Sequence, residues 1–191
     1  DFDCEGGHMG TQAITTIDLP KLGRFTFRPA EERDLPAIVD LYNHYVLNDT
    51  SNFQEHVETV EDAIVWLKEQ NSRNLAVIVA VKVDEHGNEQ QLAGATCLNE
   101  GDPRCGRLVT EGSIYIHRDF VGCGLGKCLN DILLNAARAR GFHSMIIHIT
   151  AENTASLALA KKAGFREVGV LKEMGSKFGR LIDVTILQVM L

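Results

Sequence analysis

The chain has 191 residues, 45% of them hydrophobic and 24% charged, with a formal net charge of −7. Those proportions exclude a disordered, collagen-like or low-complexity polymer, and a single domain of this length hides roughly 70% of the surface its unfolded chain exposes. An acidic chain without a Lys/Arg stripe is a poor ligand for polyphosphate backbones, which argues against nucleic acid as a partner, and no apolar run approaches the ~20 residues that a membrane-spanning helix needs.

Residues 1–8 have no periodicity and read as a non-native leader ahead of a start at Met9, with 9–24 an N-terminal extension and 25–191 a single domain. Five cysteines at irregular spacings suggest free thiols in a reducing, cytoplasmic setting. Phe25 to Arg28 reads as a short strand ended by Pro29, and Asp34 with Pro36 as a capped helix start whose inward face is Ile38, Leu41, Tyr42 and Tyr45. A second helix fits Val60 to Gln70, with the lone Trp66 packed in it. Leu75 to Val83 and Gln91 to Leu98 are predicted strands joined by a turn at His86-Gly87-Asn88, and Leu108 to His117 is a third. From there the pattern becomes βαβ. Leu125, Leu129, Ile132, Leu133 and Ala136 form a helical stripe closed by Arg138, Arg140 and Gly141. Ser144 to Thr150 is an apolar strand, Asn153 to Ala163 a helix stopped by Gly164, and Phe165 to Leu171 and Asp183 to Leu191 are closing strands. This order predicts an α/β (α+β) mixed sheet with helices on both faces.

The densest chemical signal is Val121-Gly-Cys-Gly-Leu-Gly-Lys127, between a strand and a helix. Main-chain N–H groups at such a helix start make an anion cradle, and alternate glycines let a ligand lie on bare backbone. A P-loop would need Gly and Ser/Thr where Val121 and Cys128 stand, and the dinucleotide G-x-G-x-x-G spacing fails at Lys127. A tight turn without a ligand is the other reading of the loop.

The segment Tyr115 to Lys127 resembles the acetyl-CoA pyrophosphate loop of the GNAT superfamily of N-acetyltransferases, with Val121 where Arg or Gln is usual. Phe27-Arg-Pro-Ala30, Leu41-Tyr-Asn-His44, Glu111-Gly-Ser-Ile-Tyr115, Ala151-Glu-Asn-Thr-Ala-Ser156, Gly164 to Gly169 and Lys177-Phe-Gly-Arg180 extend the likeness over nearly all of 25–191. As an ordered set they are similar to the phosphinothricin/methionine sulfoximine acetyltransferase branch. The resemblance implies the GNAT fold and an acetyl-CoA-dependent enzyme that acetylates a small primary amine directly, with no metal. It also implies a homodimer.

Its site residues carry over one by one. Glu111 would be the general base, through water, because only a neutral amine attacks a thioester; a carboxylate paired with Arg107 is the alternative. Main-chain groups of Ile114, Tyr115 and Ile116 would receive the pantetheine arm as an added strand. Gly122, Cys123, Gly124, Leu125, Gly126 and Lys127 would hold the diphosphate, with Lys162 near it. Asn153 would contact the coenzyme arm or, alternatively, cap its helix. Arg104 and Arg107 would fork an acceptor's acidic group, and Phe53 and Phe178 would wall its side-chain pocket. Seven residues after Asn153, where the family carries a Tyr or His able to protonate the leaving thiolate, this chain has Ala160. Val121 and Ala160 together prompt a second class of function, a non-catalytic coenzyme-binding module. Another acceptor, such as a polyamine, aminoglycoside or peptide N-terminus, is a further alternative. Cys123, Cys128, His143 and His148 approach zinc-finger spacing, but strand alternation points the two histidines to opposite faces. Ser113 and Ser156 lack the G-x-S-x-G elbow of a hydrolase.

Overall fold

A computed structural model describes residues 14–20, 22–102 and 108–191. Eight strands form one mixed sheet in the order β1-β2-β3-β4-β5-β6-β8-β7. They are β1 (Thr15–Leu19), β2 (Gly23–Pro29), β3 (Val77–Val83), β4 (Glu89–Glu100), β5 (Val109–Ile116), β6 (Ser144–Thr150), β7 (Arg166–Lys177) and β8 (Arg180–Met190). The helices are α1 (Leu35–Asn48), α2 (Val60–Ser72), α3 (Leu125–Ala139) and α4 (Thr154–Lys162). Every neighbouring pair of strands is antiparallel except β5 and β6. That parallel pair is the βαβ crossover through α3 that the helical stripe predicts.

The elements differ from the sequence reading at three places. Thr15–Leu19, ahead of the expected first strand, pairs with β2 and becomes the sheet's edge. β7 runs on past Leu171 to Lys177, because irregular register between Leu171 and Gly175 absorbs the positive φ of Glu173. The Phe178-Gly179 turn, with both residues at positive φ, then feeds β8 directly. At Asp34 the expected helix cap is absent. Its carboxylate instead accepts from the Glu31 N–H at 2.8 Å and from the Arg28 guanidinium at 2.7 and 2.8 Å.

The helices pack on opposite faces. α1 and α2 cover β3 and β4 through Leu35, Val39, Leu41, Ala63 and Leu67. α3 lies on the other face, with Leu125, Leu129 and Ile132 against Phe25 and Phe27, and Leu133 and Ala137 against Leu98, Met145 and Leu187. Burying each large side chain of this kind stabilises the fold by about 1.5–3 kcal/mol. No described helix is long and apolar enough to cross a membrane.

The Arg28 guanidinium also donates to Glu89 at 2.6 and 2.9 Å, tying β2, the start of α1 and the start of β4 together. Burial pushes the Asp34 carboxyl up, but the hydrogen bonds from Arg28 and the Glu31 N–H outweigh it and hold it below its ordinary value. Hydrogen bonds from Arg28 likewise lower Glu89. Stability from these carboxylates is therefore complete above their ordinary values of 3.8 and 4.5 and is lost as pH falls through the lowered folded values. Arg28→Ala, which leaves Asp34 buried and uncompensated, is expected to cost about 3–5 kcal/mol in urea unfolding at pH 7. That deficit should shrink as the pH is lowered toward 3; a variant as stable as the parent at pH 7 contradicts the clamp.

Candidate active site

Strands β5 and β6 pair at only three positions, Val109 with Ser144, Thr110 with Met145 and Glu111 with Ile146. Beyond Glu111 they part: β5 continues against β4 to Ile116, and β6 continues against β8 to Thr150. The sheet is thus two half-sheets joined at a short seam, with a fork opening from Glu111.

Main-chain direction along β5 follows from its ladder. The His117 N–H donates to Ala93 O on β4 at 2.8 Å, while Leu108 O accepts from Ser144 of β6. Alternation then aims the main-chain groups of Ile114 and Ile116 away from β4 and into the fork, and those of Tyr115 toward β4. One of the fork-facing groups is taken: the Tyr45 hydroxyl donates to Ile116 O at 2.6 Å. Side chains alternate the other way. Ile114 and Ile116 pack toward α3, whereas Tyr115 meets Tyr42 and Tyr45 edge to face on the α1 side.

At the far end of the fork lies the glycine loop. Gly122 and Gly124 have φ of 78° and 94°, and a Cβ on either would meet nothing within 4 Å. Gly124 is the N-cap of α3 and offers no capping side chain, and the Lys127 N–H donates back to Gly124 O at 3.1 Å, so the positive end of the helix opens on the glycine loop. Gly126 serves packing instead. A Cβ there would lie 2.9 Å from Leu159 of α4 and 3.1 Å from Ile116. The Cys123 thiol donates to Phe120 O, Leu125 is buried, and Lys127 pairs with Asp131 at 2.9 Å. Val121 is exposed, and so is Lys162 at the end of α4. The bare cradle, the helix start and the open strand edge fit the diphosphate and amide-bearing arm of a coenzyme A ester.

Glu111 sits where the strands separate, half-buried on the same face as Ser113 and Tyr115. Its described partner is His148 of β6, with Nδ1 3.8 Å from the carboxylate. Arg107, the partner weighed for it in the sequence, and Arg104 lie outside the described residues. Ser113 accepts from Asn99 at 3.1 Å, and both line a cleft of about 350 Å³ between the α1–α2 pair and β3–β5. Ile38, Leu41, Ala63, Trp66 and Val77 make its apolar wall, and Glu58 and Asp62 bring carboxylates to it. Tyr42, also in the lining, donates to Gln54 at 2.9 Å. Burial pushes both the Tyr42 and Tyr115 phenols above their ordinary range.

The remaining expected residues lie around this centre. The Asn153 side chain accepts from the Ser156 N–H at 3.1 Å and so caps α4. Ala160 is buried in the core with Phe165 and Leu187. Phe53 sets the end of its ring against Gly175 of β7, and Phe178 is exposed in the β7–β8 turn, with the Lys177 ammonium 5.4 Å from its ring centre. Sequence reasoning missed Lys177 itself. Only 1% exposed, its ammonium donates to Asn52 O at 2.9 Å and Oδ1 at 3.0 Å, holding the loop after α1 onto β7. Burial lowers its pKa. It also missed the Glu111–His148 contact. Strand parity puts His148 on one face, but nothing in the sequence sets the β5–β6 register.

The family model of the acetyltransferase (GNAT) domain matches residues 27–186. The chain belongs to the GNAT acetyltransferase family. This acetyltransferase is 31% identical over 87% of its length to an L-amino acid N-acyltransferase of Escherichia coli K12, covering 94% of that protein. It is 32% identical over 86% of its length to an L-methionine sulfoximine/L-methionine sulfone acetyltransferase of Pseudomonas aeruginosa, covering 93% of that protein. Among solved structures, a phosphinothricin acetyltransferase of Sinorhizobium meliloti in complex with acetyl-CoA superposes with a TM-score of 0.80. The two are 28% identical, and the match covers 87% of this chain and 88% of that one.

Cys97, in the cleft lining, donates to Asn99 at 3.6 Å, and burial pushes its thiol up to about 12. At pH 8 about one thiol in ten thousand would then be thiolate. Iodoacetamide at pH 8 is therefore expected to leave the Cys97 peptide unmodified in the folded acetyltransferase and to modify it in urea, as read by peptide mass spectrometry. Equal labelling in both states contradicts the burial of this thiol.

Proposed function

We propose that this acetyltransferase transfers acetyl from acetyl-CoA to the primary amine of a small amino-acid-like acceptor of the phosphinothricin or methionine sulfoximine type. The observation that carries the reading is the fork: a carboxylate, Glu111, stands where an open strand edge begins, and a glycine cradle stands where it ends. The names of the relatives support the acceptor class. When bound, acetyl-CoA supplies an acyl carbon activated as a thioester.

The chain's own groups act as follows. Main-chain N–H groups of residues 122–127 hold the diphosphate, with Lys127 and Lys162 adding positive charge beside it. The main-chain groups of Ile114 and Ile116 align the arm as an added strand, and a fork-facing N–H polarises the carbonyl that takes negative charge during attack. Asn153, whose Oδ1 caps α4, keeps its amide group for the arm. The Glu111 carboxylate drives removal of a proton from the acceptor's ammonium through an intervening group, because at pH 7 only about one lysine-type amine in a few thousand is neutral. Arg104 and Arg107 hold the acceptor's acid group, with Phe53 and Phe178 near its side chain. Exposed Val168, Met174 and Leu181 on β7 and β8 supply an apolar edge for a second copy of the chain.

A second acceptor class is favoured by one observation: Glu58 and Asp62 bring negative charge to a cleft whose walls are apolar, which suits an amine with a cationic or aliphatic body.

Calorimetry with acetyl-CoA, followed by thiol release with phosphinothricin, L-methionine sulfoximine and spermidine, tests the proposal. Micromolar coenzyme binding and turnover of the amino acids are expected, with Glu111→Gln lowering kcat by about 10²–10⁴-fold while binding is kept. Turnover of spermidine alone favours the second acceptor class. Coenzyme binding without turnover of any amine contradicts the catalytic reading.

A further inference from the structure

We propose that His148 is a catalytic residue of this acetyltransferase, exchanging the acceptor's proton at Nε2 while Glu111 holds its Nδ1 edge. The inference rests on the fork being the acetyl-transfer centre, and it moves the proton-handling atom from the carboxylate to the imidazole beside it.

The parallel register aligns Glu111 with Ile146, so His148, two residues further along β6, falls on the same face at the first position past the seam. Its Nδ1 lies 3.8 Å from Glu111 Oε2. Both side chains keep more than a third of their surface open, 37% for His148 and 38% for Glu111. A structural ion pair gains little at such exposure. A substrate entering the fork, by contrast, meets an imidazole already backed by a carboxylate.

Among the described residues, the surroundings leave the imidazole available. Across β8, Ile186 pairs with His148, and Gln188 and Val184 flank that position, so this strand brings no charge to it. Lys177 of β7, on the same face, is held by Asn52, and Glu152 after β6 is paired with Arg180. Imidazole is also the better chemical choice. An imidazole takes and returns a proton at one nitrogen while the other stays beside a carboxylate, which a lone carboxylate cannot do.

The acceptor's ammonium gives one proton to Nε2, and the imidazolium is stabilised by the Glu111 carboxylate. The freed nitrogen lone pair forms the N–C bond to the acyl carbon while the C–S bond breaks and its electron pair leaves with sulfur. Nε2 returns its proton to that sulfur, and the second nitrogen proton passes to water. One proton is released overall, and nothing is oxidised or reduced.

The test uses the full chain with labelled histidine, following the His148 imidazole by NMR across pH in the absence of acetyl-CoA, beside steady-state thiol release with L-methionine sulfoximine. Glu111→Gln should displace the His148 ring resonances at pH 7, because Nδ1 loses the carboxylate 3.8 Å away. His148→Gln should keep the calorimetric heat of acetyl-CoA, leave KM within about three-fold, cut kcat by about 100-fold or more and remove the acid limb of the pH–rate profile. His148 ring resonances unmoved by Glu111→Gln overturn the proposal, as does a His148→Gln enzyme with the parent's kcat and profile. Should the parent chain itself give no heat with acetyl-CoA, the reading of the fork fails, and this inference with it.

Discussion

Seven residues of β6 find partners on β8, but only three find partners on β5. That mismatch makes the site. In a continuous sheet the main-chain groups of Ile114 and Ile116 would be spent on a neighbouring strand. Here, apart from Ile116 O, which accepts from Tyr45, they face a gap, and an extended ligand bearing amides can complete the ladder they began. The separation also exposes Glu111 and His148 together, because Glu111 is in the seam's last pair and His148 is the first residue of β6 past it on the same face.

The half-sheets can part without losing the core because the opposite face is closed. Leu133 and Met145 fill the space beneath Gly112, where a Cβ would lie 2.8 Å from the leucine and 3.0 Å from the methionine sulfur. α3 and α4 approach over Gly126, which brings the start of α3 level with the end of β5. On the α1–α2 face, the clamp of Arg28 on Asp34 and Glu89 fixes where α1 begins. α1 in turn carries Tyr42 and Tyr45 to Tyr115. The site is therefore held from both faces by contacts that take no part in chemistry.

Local signals in the sequence were legible. The α3 stripe, the apolar run 144–150 and the glycines at 122 and 124 each encode their element within a dozen residues, and Asn153 is a cap by type and position. What depended on distant partners was not. Asp34 has the residue type of a cap, yet a guanidinium six residues back and a carboxylate 55 residues ahead recruit it into a buried cluster. Lys177 carries no local signal of burial, and it is buried where its ammonium donates to Asn52. His148 was weighed only as a metal ligand, since its neighbour across the seam is set by a parallel register that no local pattern specifies. The strand at 15–19 gains its place from pairing with β2 rather than from its own weak alternation.

The most direct measurement is amide hydrogen exchange at Ile114, Ile116 and residues 122–126 with and without acetyl-CoA. If the fork receives the coenzyme as an added strand, exchange at these amides slows by about tenfold or more while the β2–β3 ladder is unchanged. Acetyl-CoA that binds yet leaves the Ile114 and Ile116 amides exchanging at their original rates would contradict it.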